Sequence, residues 1–248
     1  MGTWSISPSG NSNASIDENG VVTFYRNNGS SREFIVKYVD DDGKEAIETV
    51  KQEGCGDPAL VDLGLPSGTK WAKYNYGGLN YEAASSAFYR YGDIDPFQVT
   101  SGDSEYTIVP TEIDLPCDLD SVCAGWGGDW HLPTKDQISE LLDAVILGNI
   151  TYTWETNFED SGMDGAKFSG NGRYIFIPAQ GYYEMNGEPG APSSSARVVG
   201  DGTFAYLLSS TYKSDNESYA LAATQDGPYV TYLRFKNGLN TRGVQGNI

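Results

Sequence analysis

Thr134-Lys135-Asp136-Gln137-Ile138-Ser139-Glu140-Leu141-Leu142-Asp143-Ala144-Val145-Ile146-Leu147-Gly148-Asn149 carries the clearest helix signal in this 248-residue chain. Thr134 can cap the first turn, and Gln137, three residues on, can reach back to it as a capping-box partner. Ile138, Leu141, Leu142, Val145 and Ile146 then recur at i, i+3, i+4, i+7 and i+8, one apolar stripe that must pack against a sheet or another helix. Gly148-Asn149 supplies the stop. Weaker patterns suggest helices over Tyr81 to Ala87 and over Leu119 to Ala124. Everything else reads as short strands, loops and turns. The 30 glycines exceed the usual share of about 7%. A β-rich chain with few helices follows.

Upstream the pattern is all-β. Strands are expected at Trp4 to Ile6, Ser15-Ile16, Val21 to Tyr25, Glu33 to Val39 and Ala46 to Gln52, broken at Asn19-Gly20, Asn27-Asn28-Gly29 and Asp42-Gly43. The near-continuous apolar run Phe34 to Val39 is expected to lie between two packed faces of a small sandwich. Cys55-Gly56-Asp57-Pro58 reads as a linker, which places an N-terminal domain at 1–54, the linker at 55–58 and a larger domain at 59–248.

Composition narrows the function. Lys and Arg total 16 against 34 Asp and Glu, a net charge of −18. Such a surface repels phosphate, so no general nucleic-acid partner is expected. No run approaches the ~18 apolar residues of a membrane span. The beginning, Met1-Gly2-Thr3-Trp4, lacks the regions of an export signal, as it also would if such a signal had been removed. Cys55, Cys117 and Cys123 are too few for a disulfide scaffold and show no paired spacing for zinc. The spacing leaves a Cys117–Cys123 bridge open.

Trp4-Ser5-Ile6, Ala14-Ser15-Ile16, Gly20-Val21-Val22-Thr23 and Glu48-Thr49-Val50-Lys51-Gln52-Glu53-Gly54 together resemble the BACON and related immunoglobulin-like modules of exported Bacteroidetes proteins. That resemblance implies a spacer or presentation module. Downstream come Val61-Asp62-Leu63-Gly64-Leu65-Pro66-Ser67-Gly68-Thr69-Lys70-Trp71-Ala72, Tyr89-Arg90-Tyr91-Gly92-Asp93 and Gly127-Gly128-Asp129-Trp130-His131-Leu132-Pro133-Thr134. Ile175-Phe176-Ile177-Pro178-Ala179-Gln180-Gly181-Tyr182, Tyr206-Leu207-Leu208-Ser209-Ser210-Thr211 and Asn237-Gly238-Leu239-Asn240-Thr241-Arg242-Gly243-Val244 complete the series. In this order they resemble the Fibrobacter succinogenes major paralogous domain, a group with a C-type-lectin-like fold. Leu207-Leu208 stand where that family has a Trp, and Tyr91-Gly92-Asp93 replaces its Trp-Gly-Glu. The fold class implied is α+β, an N-terminal immunoglobulin-like β-sandwich followed by a C-type-lectin-like domain. Read physically, Trp71, Trp126, Trp130 and Trp154 are fold determinants, and the hydroxyls of Ser209, Ser210 and Thr211 satisfy loop backbone groups.

The resemblance implies ligand binding by late strands and loops, at roughly residues 183 to 240. From Thr203 to Ile248 four basic residues (Lys213, Arg234, Lys236, Arg242) meet three acidic ones (Asp215, Glu217, Asp226). Tyr212, Tyr219, Tyr229 and Tyr232 are interleaved with Ser, Asn and Thr, the mixture of rigid aromatic anchors and adaptable polar groups found in recognition surfaces. Gly227-Pro228 is expected at a hairpin tip, and strand alternation puts Val230, Tyr232, Arg234 and Lys236 on the better ligand face. The expected function is non-catalytic, secreted or cell-surface recognition of a glycan or surface protein through Tyr212, Asn216, Tyr229, Tyr232, Arg234 and Asn237. No cofactor and no metal are expected. A diversified binding protein of a retroelement is one alternative reading. A carbohydrate-active enzyme is the other, since Glu155, Glu159, Asp160, Glu184 and Glu188 could supply a carboxylate pair. Formylglycine-generating enzymes share the lectin-like fold but rely on late cysteines, and no Cys follows Cys123. Glu188-Pro189-Gly190 departs from the calcium loop of true C-type lectins, and acidic loops such as Asp93 to Asp95 could hold an ion only incidentally. The lone His131 reads as a packed or capping side chain.

Overall fold

The computed structural model describes residues 2–9, 14–24, 32–52, 59–77, 87–96, 114–185, 196–214 and 216–246. Tyr25, the expected turn at Asn27-Asn28-Gly29, the linker 55–58, most of the weaker helix from Tyr81 and the tripeptide Glu188-Pro189-Gly190 lie outside them. The chain divides into two compact units, Met1–Asp57 and Pro58–Ile248. It is β-rich, with several small antiparallel sheets and two α-helices among the described residues.

In the first unit, strands β1 (Thr3–Ser7), β4 (Arg32–Val39) and β5 (Glu45–Gln52) form one sheet in the order β1-β4-β5, and β2 (Ala14–Ile16) pairs with β3 (Val22–Phe24). Gly20 follows the β2–β3 turn at φ +82°, where an added Cβ would lie 2.6 Å from the Trp4 ring, so only glycine fits. Ile6, Ala14, Phe34 and Val36 form the core, flanked by Trp4, Ile16, Val22 and Val50. Phe34 and Val36 point inward while Ile35 between them is 50% exposed, which corrects the expectation of a strand packed on both faces. The apolar run follows ordinary period-2 alternation, with one face in water.

In the second unit β6 (Leu60–Val61), β7 (Lys70–Ala72) and β16 (Val244–Gln245) form a sheet in the order β16-β7-β6, joining the start of the unit to its end. Helix α1 spans Ser121–Trp126 and α2 spans Lys135–Ile146. Strands β8 (Thr151–Glu155), β9 (Gly165–Gly170) and β10 (Arg173–Pro178) make a meander, β11 (Gln180–Met185) pairs with β12 (Ala196–Asp201), and β13 (Ala205–Ser214), β14 (Glu217–Thr224) and β15 (Gly227–Arg234) make the longest sheet. Its strands β13 and β14 are largely buried on both sides, while β15 at the edge keeps exposed residues. One face gives Ala205, Leu207, Leu221 and Ala223 to a core shared with Ile138, Leu141 and Leu142 of α2 and with Trp71, Phe168, Ile175 and Ile177. The other gives Tyr206, Leu208, Ala220 and Ala222 to a second core with Tyr89, Tyr91, Trp130, Leu132 and Phe235.

The capping box forms as expected. Thr134 Oγ1 accepts from Gln137 N, and Gln137 Oε1 accepts from Thr134 N at 3.0 Å. At the other end Asn149 N donates to Ala144 O and Gly148 N to Val145 O, with Gly148 at φ +77°, a Schellman stop. Ile146 was expected in the buried stripe but is 81% exposed, because the helix unwinds after it and the stripe ends at Val145. Helix α1 starts two residues later than expected because Asp120 is its N-cap, its carboxylate accepting from Val122 N and Cys123 N. Cys117 and Cys123 are disulfide-bonded across this start. The hairpin tip is Gln225-Asp226 and not Gly227-Pro228, which already pair as the first residues of β15.

Candidate functional site

The expected ligand residues do not converge on one surface. Tyr232 pairs with Tyr219 of β14 and Arg234 with Glu217, all on the side of the sheet that α2 covers farther along. Tyr229 pairs with Ala222 and belongs to the opposite face, beside Tyr206 and Tyr182. Tyr212 packs its ring 5.9 Å from Phe235, partly inside the second core, and Asn237 is buried. Asn216 is exposed in the β13–β14 turn at φ +65°, and its carbonyl accepts from Phe235 N at 2.7 Å. Arg242, counted with the late basic residues, has no exposure at all. Its Nε donates to Asn75 Oδ1 at 2.9 Å and an Nη to the Phe176 carbonyl at 2.6 Å, so it belongs to the interior.

On the first of these faces a register irregularity between Leu208 and Tyr212 of β13 turns Tyr212 toward Phe235 and leaves Lys213 over Tyr232. The Lys213 ammonium stands 3.2 Å from the Tyr232 ring centroid and donates to Glu217 Oε2 at 2.7 Å. That hydrogen bond holds the ammonium's pKa above its ordinary value. Lys135, in the first turn of α2, places its own ammonium 5.9 Å from the Tyr219 ring centroid. Two cation–π pairs therefore lie side by side, each contributing about 0.5–1 kcal/mol at an exposed site. Tyr232 keeps half of its surface in water. Lys135 and Tyr219 were missed as a pair in sequence, because α2 and β14 are far apart along the chain. The signal available was period-2 alternation along β14, which puts Tyr219 on the same face as Leu221 and Ala223.

On the opposite face Tyr182 meets Tyr206 edge-on at 5.4 Å, and Phe204 stacks on Tyr206 at 5.6 Å. Burial pushes the Tyr206 phenol up to about 12 and raises that of Tyr182. Tyr229 is 43% exposed there.

Of the carboxylates considered for hydrolysis, Glu188 lies outside the described residues and the others are engaged with other groups. Glu155 lies 3.5 Å from Lys167 Nζ, Glu159 accepts from the Tyr174 hydroxyl, and Glu184 accepts from both Nε and an Nη of Arg197. Asp93 pairs with Arg90, and burial raises its pKa in spite of that partner. Among the described residues no three or more His, Cys, Asp or Glu side chains are grouped to hold a metal ion, and no helix is long and apolar enough to cross a membrane.

The motif around His131 folds into a rigid corner. His131 exchanges backbone hydrogen bonds with Val244 at 3.1 and 2.9 Å, and Leu132 N donates to Asp120 Oδ2 at 2.7 Å. Burial raises the Asp120 carboxyl pKa, while hydrogen bonds from Cys123, Leu132 and Val122 and the charge of nearby His131 oppose the shift. The Ser-Ser-Thr hydroxyls serve backbone groups here: Thr211 Oγ1 accepts from Lys135 N at 3.0 Å, and Ser209 Oγ from Thr211 N at 3.1 Å. No family model matches the chain, and no curated protein and no solved structure shows significant similarity to it.

Proposed function

We propose that this is an exported, non-catalytic recognition protein whose second unit has the C-type-lectin-like architecture and binds a glycan or a surface protein. The observation that carries the reading is Tyr232, half exposed and held in place by the Lys213 ammonium, next to Tyr219 under Lys135. A ring fixed before binding loses little freedom on contact, which favours affinity. The antiparallel sheet β16-β7-β6 that closes the second unit, together with its long β13-β14-β15 sheet, supports the lectin-like architecture. The disulfide supports export, since such bonds persist in oxidising compartments. The three-stranded sheet of the first unit and its facing β2–β3 pair support an immunoglobulin-like spacer.

Glycan-array and cell-surface binding of the whole chain test this. The Tyr232→Ala/Lys213→Ala double variant is expected to lose at least about 30-fold in affinity, the consequence of removing a contact worth about 2 kcal/mol. Tyr229→Ala, on the other face, is expected to change it less than about threefold. No binding to any glycan or surface, or binding that the double variant leaves intact, overturns the proposal.

A further inference from the structure

Glu217 of β14 and Arg234 of β15 stand directly opposite each other in the strand register, a placement in which opposite charges ordinarily pair. They do not pair here. Glu217 turns instead toward β13, where its Oε2 accepts from Lys213 Nζ at 2.7 Å with the two side chains only 26% and 24% exposed. Lys213 is itself held over the Tyr232 ring, so the carboxylate is committed. Lys135, the other lysine of the patch, has Asp136 at 3.6 Å. The exposed guanidinium of Arg234 has no carboxylate within ion-pair distance among the described residues.

The patch thus carries one uncompensated positive charge in a chain whose net charge is −18. The acidic remainder repels a polyanion, whereas a single carboxylate inside the Debye length of about 8 Å at physiological salt feels mainly the guanidinium beside it. The planar fork of an arginine matches a carboxylate with two parallel hydrogen bonds. What accompanies that carboxylate is set by Tyr232, two positions earlier on the same strand face and about 6.8 Å away at about 3.4 Å per residue. Lys213 covers one side of its ring, and half of the residue stays in water. A pyranose with an exocyclic carboxylate spans that step, its C–H face on the ring and its charge on the fork. An acidic peptide side chain suits the fork but offers nothing to the ring, and a neutral sugar does the reverse.

We propose, resting on the recognition function argued above, that the Tyr232 patch takes an acidic sugar with one carboxylate, a hexuronic acid residue, its carboxylate on Arg234 and its ring on Tyr232. The full chain is titrated by NMR with methyl glucuronide, with methyl glucoside and with glutamate blocked at both backbone ends, each to about 100 mM, well above a millimolar Kd. The glucuronide is expected to bind at least about tenfold more tightly than either of the others, since it alone joins a charged hydrogen bond to a ring contact. Arg234→Gln, at an exposed position, is expected to bring the glucuronide down to the level of the glucoside. Arg234→Lys, which keeps the charge without the fork, is expected to restore part of the difference. Equal binding of glucuronide and glucoside, or an Arg234→Gln variant with the wild-type ratio, overturns the acidic-sugar assignment and leaves the recognition function standing. Tighter binding of the blocked glutamate overturns it in favour of a protein ligand. Absence of glucuronide binding also overturns it, by itself where the glycan array yields a neutral ligand, and together with the recognition function where neither glycan nor cell surface is bound.

Discussion

Tyr152 and Tyr206 hold their phenol protons to an unusually high pH because the folded chain buries them. Burial pushes both from 10.0 to about 12. Tyr152 also donates its hydroxyl to the Thr224 carbonyl at the end of β14, tying β8 to the central sheet. The unfolded chain releases these protons near pH 10, so the folded state binds more protons than the unfolded one between there and about 12. Stability from the two groups is therefore fully present below about 10 and is lost as pH rises toward 12. Urea unfolding of the wild type is expected to move to lower denaturant across that window. The Tyr152→Phe/Tyr206→Phe variant, less stable at pH 8, is expected to lose less over the same range. An equal or steeper loss in the variant would show that these phenols do not control the alkaline limit. Tyr206 could be seen as an aromatic three residues before a hydroxyl pair in sequence, but its burial depends on Phe204, Tyr182 and the β14 alanines brought beside it by the fold.

Two helix caps show which elements the sequence makes legible. Thr134 and Gln137 satisfy each other within four residues, a local pattern, and α2 starts where they place it. Asp120 was passed over as a cap because half of its function is remote: Oδ1 accepts from Val122 and Cys123, whereas Oδ2 accepts from Leu132 N twelve residues on. The two substitutions should differ accordingly. Thr134→Ala removes an ordinary, partly exposed cap and is expected to cost about 1 kcal/mol. Asp120→Ala also strands the buried Leu132 N–H of a second segment and is expected to cost about 3 kcal/mol. Chemical denaturation of both variants at pH 7 checks the order, and a smaller loss for Asp120→Ala would refute this account of how α1 is anchored. The same contrast between local and remote explains the site. Alternation along β15 correctly put Tyr232 and Arg234 together and Tyr229 apart, yet the partners that rigidify Tyr232 come through an irregularity in β13 that no period reveals. Gly243 is likewise fixed by a remote neighbour, since an added Cβ would stand 2.5 Å from the Trp126 ring.

At the scale of the molecule the two units differ in how their interiors are built. Among its described residues the first rests on Ile6, Ala14, Phe34 and Val36, between the β2–β3 pair and a three-stranded sheet whose other face leaves Ile35 and Ile47 in water. The second wraps two cores around the β13-β14-β15 sheet, so removing a side chain from one core leaves the other supporting the same strands. Small units bury a lesser fraction of their surface and are marginal. Calorimetry is accordingly expected to resolve two transitions. The earlier one belongs to Met1–Asp57, with an enthalpy of about 40 kcal/mol at about 0.7 kcal/mol per residue. Phe34 has no exposed surface and contacts the Phe24 ring at 5.1 Å, so Phe34→Ala is expected to cost about 3–5 kcal/mol, most or all of what a unit of this size has. The first transition should then vanish while the second keeps its Tm. If the wild type melts in a single transition, or if Phe34→Ala lowers the second Tm as well, the two interiors are one cooperative system, because only a shared core would carry a cavity made under the first sheet into the strands of the second unit.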